Sequence, residues 1–272
     1  MTGCSTRTVI CLLGLTLAVA GCGGSSGVTR GWSGSTIKSV GTPVLATERA
    51  SGSLKVSGGA ISITTSTGKF TSDGGPSGGV YTAANGDEAQ VFDASLISQT
   101  YDHMIPLIVT VDVDGVNHVS QGVFGDISPA DIMASSQVFG TATFNGEAAI
   151  TSQNNVAGAV RHRSSDTVVT ANFATGNVDV AMSSITPIAG AAATIDHVQI
   201  TNATIAESGF SGGTATVSLG GVNALPAITS GGDVTSIDGH FFGTSGQLPD
   251  EVGGVLLVEG NTGSVSAVFV AD

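Results

Sequence analysis

Apolar and polar residues alternate in short runs along most of the chain, and small turn residues separate the runs. Leu54-Lys55-Val56-Ser57 and Ala60-Ile61-Ser62-Ile63-Thr64 alternate with a period of two, the pattern of a strand with one buried face. Val80-Tyr81-Thr82 leads into Asn85-Gly86-Asp87, a tight turn, and Leu107 to Val113 reaches a hairpin signal at Asp114-Gly115 before Val116 to Val119. Ser128-Pro129-Ala130-Asp131-Ile132-Met133 reads as a short helix start, with Ser128 at the N-cap, Pro129 at the first helical position and Asp131 near the positive helix end.

Beyond Gln137 the strands become longer and more regular. Val138 to Phe144 ends at Asn145-Gly146, read as a hairpin turn, and Val156–Arg163, Val168–Phe173 and Val178–Met182 follow. Thr194–Ile200, Ala203–Glu207, Thr214–Leu219, Val234–Phe242, Val255–Glu259 and Val265–Val270 complete the series. Gly176-Asn177, Gly212-Gly213 and Gly260-Asn261 punctuate it, and no proline falls inside these runs. Antiparallel strands in sequence with no helix between them predict an up-and-down barrel or sandwich, closure of which removes exposed sheet edges.

The N-terminus has a different pattern. Arg7 is the only charge ahead of the apolar run Val9 to Ala20, which is too short for a permanent membrane-spanning helix and suits a signal peptide. The run closes on Leu17-Ala18-Val19-Ala20-Gly21-Cys22, which resembles a bacterial lipobox: an aliphatic residue, small residues, then the cysteine that accepts lipid. Cys4 and Cys11 precede the cleavage point, so the mature chain keeps Cys22 alone and has no thiol to pair with it. Acyl chains on Cys22 would anchor it, each buried methylene contributing about 0.8 kcal/mol. Gly23-Gly24 in place of an aspartate after the cysteine points to the outer membrane. The resulting organisation is a signal peptide at 1–21, a flexible Gly/Ser/Thr tether at 22–43 that includes Trp32, a β-rich region at 44–136 and a barrel at 137–272.

Composition narrows the function. Eight Lys+Arg against 21 Asp+Glu give a net charge of -13, and charged residues make up 11% of the chain. With no Lys/Arg cluster to neutralise phosphates, nucleic-acid binding is excluded. There is no Gly-x-Ser-x-Gly elbow, no His-Glu-x-x-His and no phosphate-cradling loop, and acylation would consume the one mature cysteine, so no enzyme is expected.

The C-terminal segments Gly239-His240-Phe241-Phe242-Gly243, Glu251-Val252-Gly253-Gly254 and Val265-Ser266-Ala267-Val268-Phe269-Val270 resemble the closing signature of the β-barrel in transferrin-binding protein B and its smaller surface-lipoprotein relatives. Phe139 to Gly146, Asn172-Phe173, Gly176 to Val180 and Gly209-Phe210-Ser211-Gly212 are similar to earlier strands of that family. Here Gly243 to Pro249 makes a longer turn than the usual Gly-Pro, and the resemblance covers only the C-terminal half, enough for one barrel. It implies an all-β chain with an eight-stranded antiparallel barrel and an N-terminal β-rich handle-like region. In that frame Gly239, Phe241, Phe242, Gly243, Glu251, Gly253, Gly254 and Phe269 are fold-forming. Strand alternation places Phe241 and Phe242 on opposite faces, one in the barrel and one against a covering region.

The function the resemblance implies is a lipid-anchored protein of the outer-membrane surface that binds a ligand or protein partner. Iron-carrier or haem capture with a TonB-dependent receptor is the leading expectation, and a structural or protective surface lipoprotein or adhesin the alternative. The barrel interior is expected to be filled, leaving loops or an inter-domain groove for binding. No ligand-binding residues are assigned and no cofactor is expected beyond the lipid on Cys22. Were haem to bind, His240 and His103 would be the first residues to test. Asp112-Val113-Asp114-Gly115 with Asn117 lacks the spacing of a calcium loop, and His103, His118, His162, His197 and His240 show no metal-type spacing, so no metal is expected. Arg161-His162-Arg163 and Asp250-Glu251 read as surface charge.

Overall fold

The computed structural model describes residues 28–40, 44–57, 60–65, 68–75, 77, 80–92, 95–113, 116–136, 140–154, 158–189, 195–244 and 247–272. The signal peptide, Cys22 and the Asp114-Gly115 turn lie outside them.

The N-terminal strands are β1 (Val28–Val40), β2 (Val44–Ser57), β3 (Ala60–Thr65), β4 (Gly68–Thr71), β5 (Val80–Thr82), β6 (Glu88–Val91), β7 (Met104–Val113) and β8 (Val116–Gly125). They form one antiparallel sheet in the order β4-β3-β2-β1-β8-β7-β6-β5. The segment read as a tether is therefore a strand over Val28–Val40, paired along its length with β2 and along Gly31–Lys38 with β8. Backbone ladders on both sides satisfy its N–H and C=O groups, which a Gly/Ser/Thr composition does not reveal. Ile61, Ile63, Phe70, Tyr81, Leu107, Val109 and Phe124 form the core of this sheet.

After a short helix, α1 (Ala130–Ser136), come β9 (Thr141–Asn154), β10 (Gly158–Asn172), β11 (Asn177–Ala189), β12 (His197–Ala206), β13 (Gly209–Ser211), β14 (Thr214–Leu219) and β15 (Val222–Asn223). A second helix, α2 (Leu225–Thr229), precedes β16 (Val234–Phe242), β17 (Glu251–Glu259) and β18 (Gly263–Ala271). Hydrogen bonding runs β11-β10-β9-β18-β17-β16-β13-β12, and β11 pairs with β12, so eight strands close into an antiparallel barrel. The fold is all-β, and the lumen is filled. Phe241 lies 5.5 Å from both Phe173 and Phe210 and 6.3 Å from Phe144, measured between ring centroids. One end of the barrel carries α1, whose Met133 joins this core, and the other carries α2, which inserts Leu225 and Ile228.

Four local expectations change. Asn145-Gly146 is no turn: β9 runs through it, and a Cβ at Gly146 would collide with the backbone of Val270 and Ala271 on β18. The two strands expected between Val156 and Phe173 are one, β10, broken by a bulge between Ser164 and Thr167. Pro187 sits inside β11, in the stretch beyond Met182 that pairs with β10 alone and beside the register shift at Arg161/His162, an edge position of the kind where strands tolerate proline. Finally, α1 begins at Ala130, and Ser128 donates its backbone N–H to the Phe241 carbonyl.

Candidate functional site

The signature residues of the C-terminal strands fall on the two faces of one stretch of barrel wall. On the inner face, register aligns Phe210 (β13), Gly239 (β16), Gly254 (β17) and Phe269 (β18) in one row. A Cβ at Gly239 would enter the ring of Phe210, and one at Gly254 would lie 2.9 Å from Cζ of Phe269. The two glycines thus clear the space in which the two rings meet, 6.3 Å apart. Phe241, one turn of the pleat further on, faces the same lumen.

On the outer face, Phe242 packs with Met104, Val123, Val255, Val268 and Val270, which joins the N-terminal sheet to the barrel. Gly253 is the counterpart of the inner glycines, since a Cβ there would stand 3.0 Å from Sδ of Met104 and 3.1 Å from Cγ1 of Val123. A Cβ at Gly243 would stand 3.2 Å from Oδ1 of Asp250 and 3.3 Å from both Cα of Pro249 and Oγ of Ser128. None of these positions has a positive φ, so close approach is the reason for glycine, strict at Gly239 and Gly254 and milder at Gly253 and Gly243.

Two buried barrel carboxylates hold the loop between β6 and β7. Glu251 on β17 accepts the backbone N–H groups of Asp102 (2.5 Å) and His103 (3.0 Å). Glu147 on β9 accepts the N–H and hydroxyl of Ser98 and the N–H of Gln99, and pairs with Arg163 of β10. Between them Tyr101 donates its hydroxyl to Gln99 Oε1 (2.8 Å) and approaches the Val270 carbonyl at 3.2 Å. Burial pushes the Glu251 carboxyl above its ordinary value despite the two N–H donors. At Glu147 burial acts the same way, but the bonds from Ser98, Arg163 and Gln99 outweigh it and the carboxyl is held low. Burial and the neighbouring Asp272, Glu147 and Glu251 raise the Tyr101 phenol.

The structure separates residues that the sequence had grouped. Of the basic triplet, Arg161 is exposed, His162 is buried and Arg163 is engaged with Glu147. Asp250 is exposed with His103 Nε2 at 3.6 Å, while Glu251 is buried. Alternation along each strand carried that signal. Phe241 and Phe242, neighbours of His240, are turned into the two cores. His240 itself lines an outer-wall pocket of about 320 Å³ with Asp238, Glu207, Ser208 and Ile127. Among the described residues no group of three or more His, Cys, Asp or Glu side chains is placed to hold a metal ion. Glu147, Ser98 and Tyr101 had no sequence signal, because a carboxylate that caps a distant loop shows no local pattern.

Residues 138–272 match the family described as the C-lobe and N-lobe β-barrels of Tf-binding protein B. The barrel half of this chain belongs to that family. In fold the chain is similar to transferrin-binding protein B from Haemophilus parasuis Hp5, as its Trp-176-Ala mutant, with a TM-score of 0.53 at 16% identity over 89% of this chain and 45% of that one. HpuA from Kingella denitrificans, crystallised in complex with human haemoglobin, aligns at 14% identity with a TM-score of 0.47, over 92% of this chain and 89% of that one. No match was found among curated proteins.

Proposed function

We propose that this chain is a non-enzymatic lipoprotein of the outer-membrane surface, anchored through acyl chains on Cys22, that binds an iron-carrier protein. The observation that carries the reading is the match of the barrel half to the barrels of a transferrin-binding protein. The Leu17-Ala18-Val19-Ala20-Gly21-Cys22 segment supports the anchor. A lumen packed with phenylalanine leaves the outer wall, the loops and the N-terminal sheet as binding surface. Clamped to the barrel by Glu147 and Glu251, the sheet offers a partner a surface that needs little ordering on binding. A TonB-dependent receptor would take the iron onward.

The test is immobilised mature chain exposed to iron-loaded transferrin, to haemoglobin and to free haem. Saturable binding of a carrier supports the proposal. Absence of binding to both carriers, with no spectral change on adding haem, overturns it in favour of a structural or adhesive lipoprotein. Mass spectrometry of protein from membranes checks the anchor, and an unmodified Cys22 thiol would refute it.

A further inference from the structure

Five large apolar side chains are exposed among the described residues: Ile188, Leu219, Val222, Val234 and Leu248. Four of them sit at the barrel end closed by α2, opposite the end that carries α1. Leu219 and Val222 pair across the β14–β15 turn, Val234 opens β16, and Ile188 lies near the end of β11. Pro226 and Ala227, on the outer side of α2, are exposed beside them, while Leu225 and Ile228 of that helix point inward. Burying the inner side of α2 closes the lumen and does not require the residues around it to be apolar. Exposed apolar side chains that share one end of a barrel are a better mark of an interaction surface than the same residues scattered singly.

Acidic groups are interleaved with the patch. Asp196 accepts the backbone N–H of Gly220 in the β14–β15 turn, Asp233 accepts the Thr229 hydroxyl just before Val234, and Glu259 is the register partner of Val234. Arg161, at the same end on β10, is the one exposed arginine of the barrel. This rim repels an anionic lipid surface, and it repels a second copy of a chain whose net charge is -13. A surface with apolar residues at its centre and lysines or arginines around them complements it.

We infer that the α2 end of the barrel is the docking surface for a protein partner that presents an apolar patch ringed by lysine or arginine. The inference rests on the binding role proposed above and assigns it a place.

The test uses the full mature chain, a Leu219→Ser/Val222→Ser/Val234→Ser variant and an Asp196→Asn/Asp233→Asn/Glu259→Gln variant. Each is first shown to keep the wild-type melting temperature. The probe is a phage-displayed random peptide library panned on the wild type. Enrichment of peptides that combine apolar residues with Lys or Arg is expected. Their affinity should fall about tenfold or more on the apolar variant. On the acidic variant the salt dependence of their association should flatten. The assignment is overturned if no peptide is enriched or if enriched peptides bind all three chains equally. It is also overturned if the apolar variant instead abolishes binding to phosphatidylglycerol vesicles or abolishes self-association. A carrier that binds the apolar variant as well as the wild type sinks this surface and leaves the proposed function standing. Enrichment on the patch with no carrier bound does the reverse.

Discussion

The two sheets of this protein treat their edges differently. In the barrel, β9 bonds to both β10 and β18 and β11 bonds to β12, so the ring has no terminal strand. The N-terminal sheet ends in β4 and β5, which are four and three residues long. Short edge strands limit unwanted pairing, yet they also limit what the sheet contributes to its own stability. Among the described residues an apolar cluster is shared across the seam between sheet and barrel. The closed ring is expected to stand by itself and the edged sheet to depend on it across the seam. Substitutions should divide accordingly, some unfolding everything and others releasing the sheet alone.

The largest effect is expected from Gly239→Val. Two methyl groups would be driven into the Phe210 ring in the row that Phe210, Gly239, Gly254 and Phe269 fill. Overpacking of a core costs about 1–3 kcal/mol and more where, as here, the obstacle is a ring fixed by a second ring. The variant should lose its cooperative thermal transition or fail to accumulate as soluble protein. Phe241→Ala, at the centre of the aromatic cluster, should cost about 3–5 kcal/mol in denaturant unfolding. A barrel transition unchanged by either substitution would show that this row does not hold the ring together.

Next comes Gly253→Leu, on the outer face of the neighbouring strand β17. Its side chain would meet Met104 and Val123, which belong to the sheet, so the seam should weaken by about 1–3 kcal/mol while the barrel stays closed. Calorimetry should then show the single transition split in two, with the loop at residues 95–103 becoming sensitive to protease first. One unsplit transition at a lower temperature would mean that barrel and sheet unfold as a single unit.

This inside-outside division was partly legible in the sequence. Alternation placed Phe241 and Phe242 on opposite faces, and the Gly-Asn and Gly-Gly pairs placed the turns after β10, β13 and β17. Legibility failed where backbone geometry or distant contacts decide the outcome. Val28–Val40 is held by ladders to β2 and β8, and its apolar content gives no hint of them. Asn145-Gly146 has the letters of a hairpin, but the glycine serves the close passage of β18. At the seam, Glu251 reads as surface charge and Glu147 carries no signal, because the main-chain N–H groups they accept from lie 48 or more residues away along the chain. The pocket beside Ile127 was equally hidden, since three separate segments build it.

Tyr101→Phe is expected to have a smaller effect than either glycine substitution. It removes the hydroxyl that bonds Gln99 Oε1 and approaches the Val270 carbonyl, and leaves the ring in the seam. The loss should be about 1 kcal/mol, read as faster amide exchange in residues 95–103 with the barrel amides unchanged. Equal acceleration in the barrel would contradict the view that the seam can open by itself.

The smallest expected effect is a dependence of the seam on pH, and its sign differs between the two carboxylates. Glu147 has a folded-state pKa below the ordinary glutamate value of 4.5. Its contribution is therefore complete above that value and is lost as pH falls through the lowered one. Glu251 titrates above 4.5 when folded, so the folded form binds a proton more readily than the unfolded form. Its contribution is complete below 4.5 and is lost as pH rises through the raised value. In the wild type the two slopes have opposite signs and lie on opposite sides of 4.5. Glu251→Gln should remove the gain in seam stability that the wild type shows as pH falls from neutral toward about 4.5, and keep the wild-type loss below it. Glu147→Gln keeps the gain toward pH 4.5 that Glu251 supplies, and below about pH 4.5 the seam should lose less stability than the wild type. Protease susceptibility of the loop, followed across this range for the three proteins, separates the two slopes. Parallel profiles would mean that neither carboxylate is linked to closure of the seam, and that its N–H groups and shared apolar cluster hold it at any charge state.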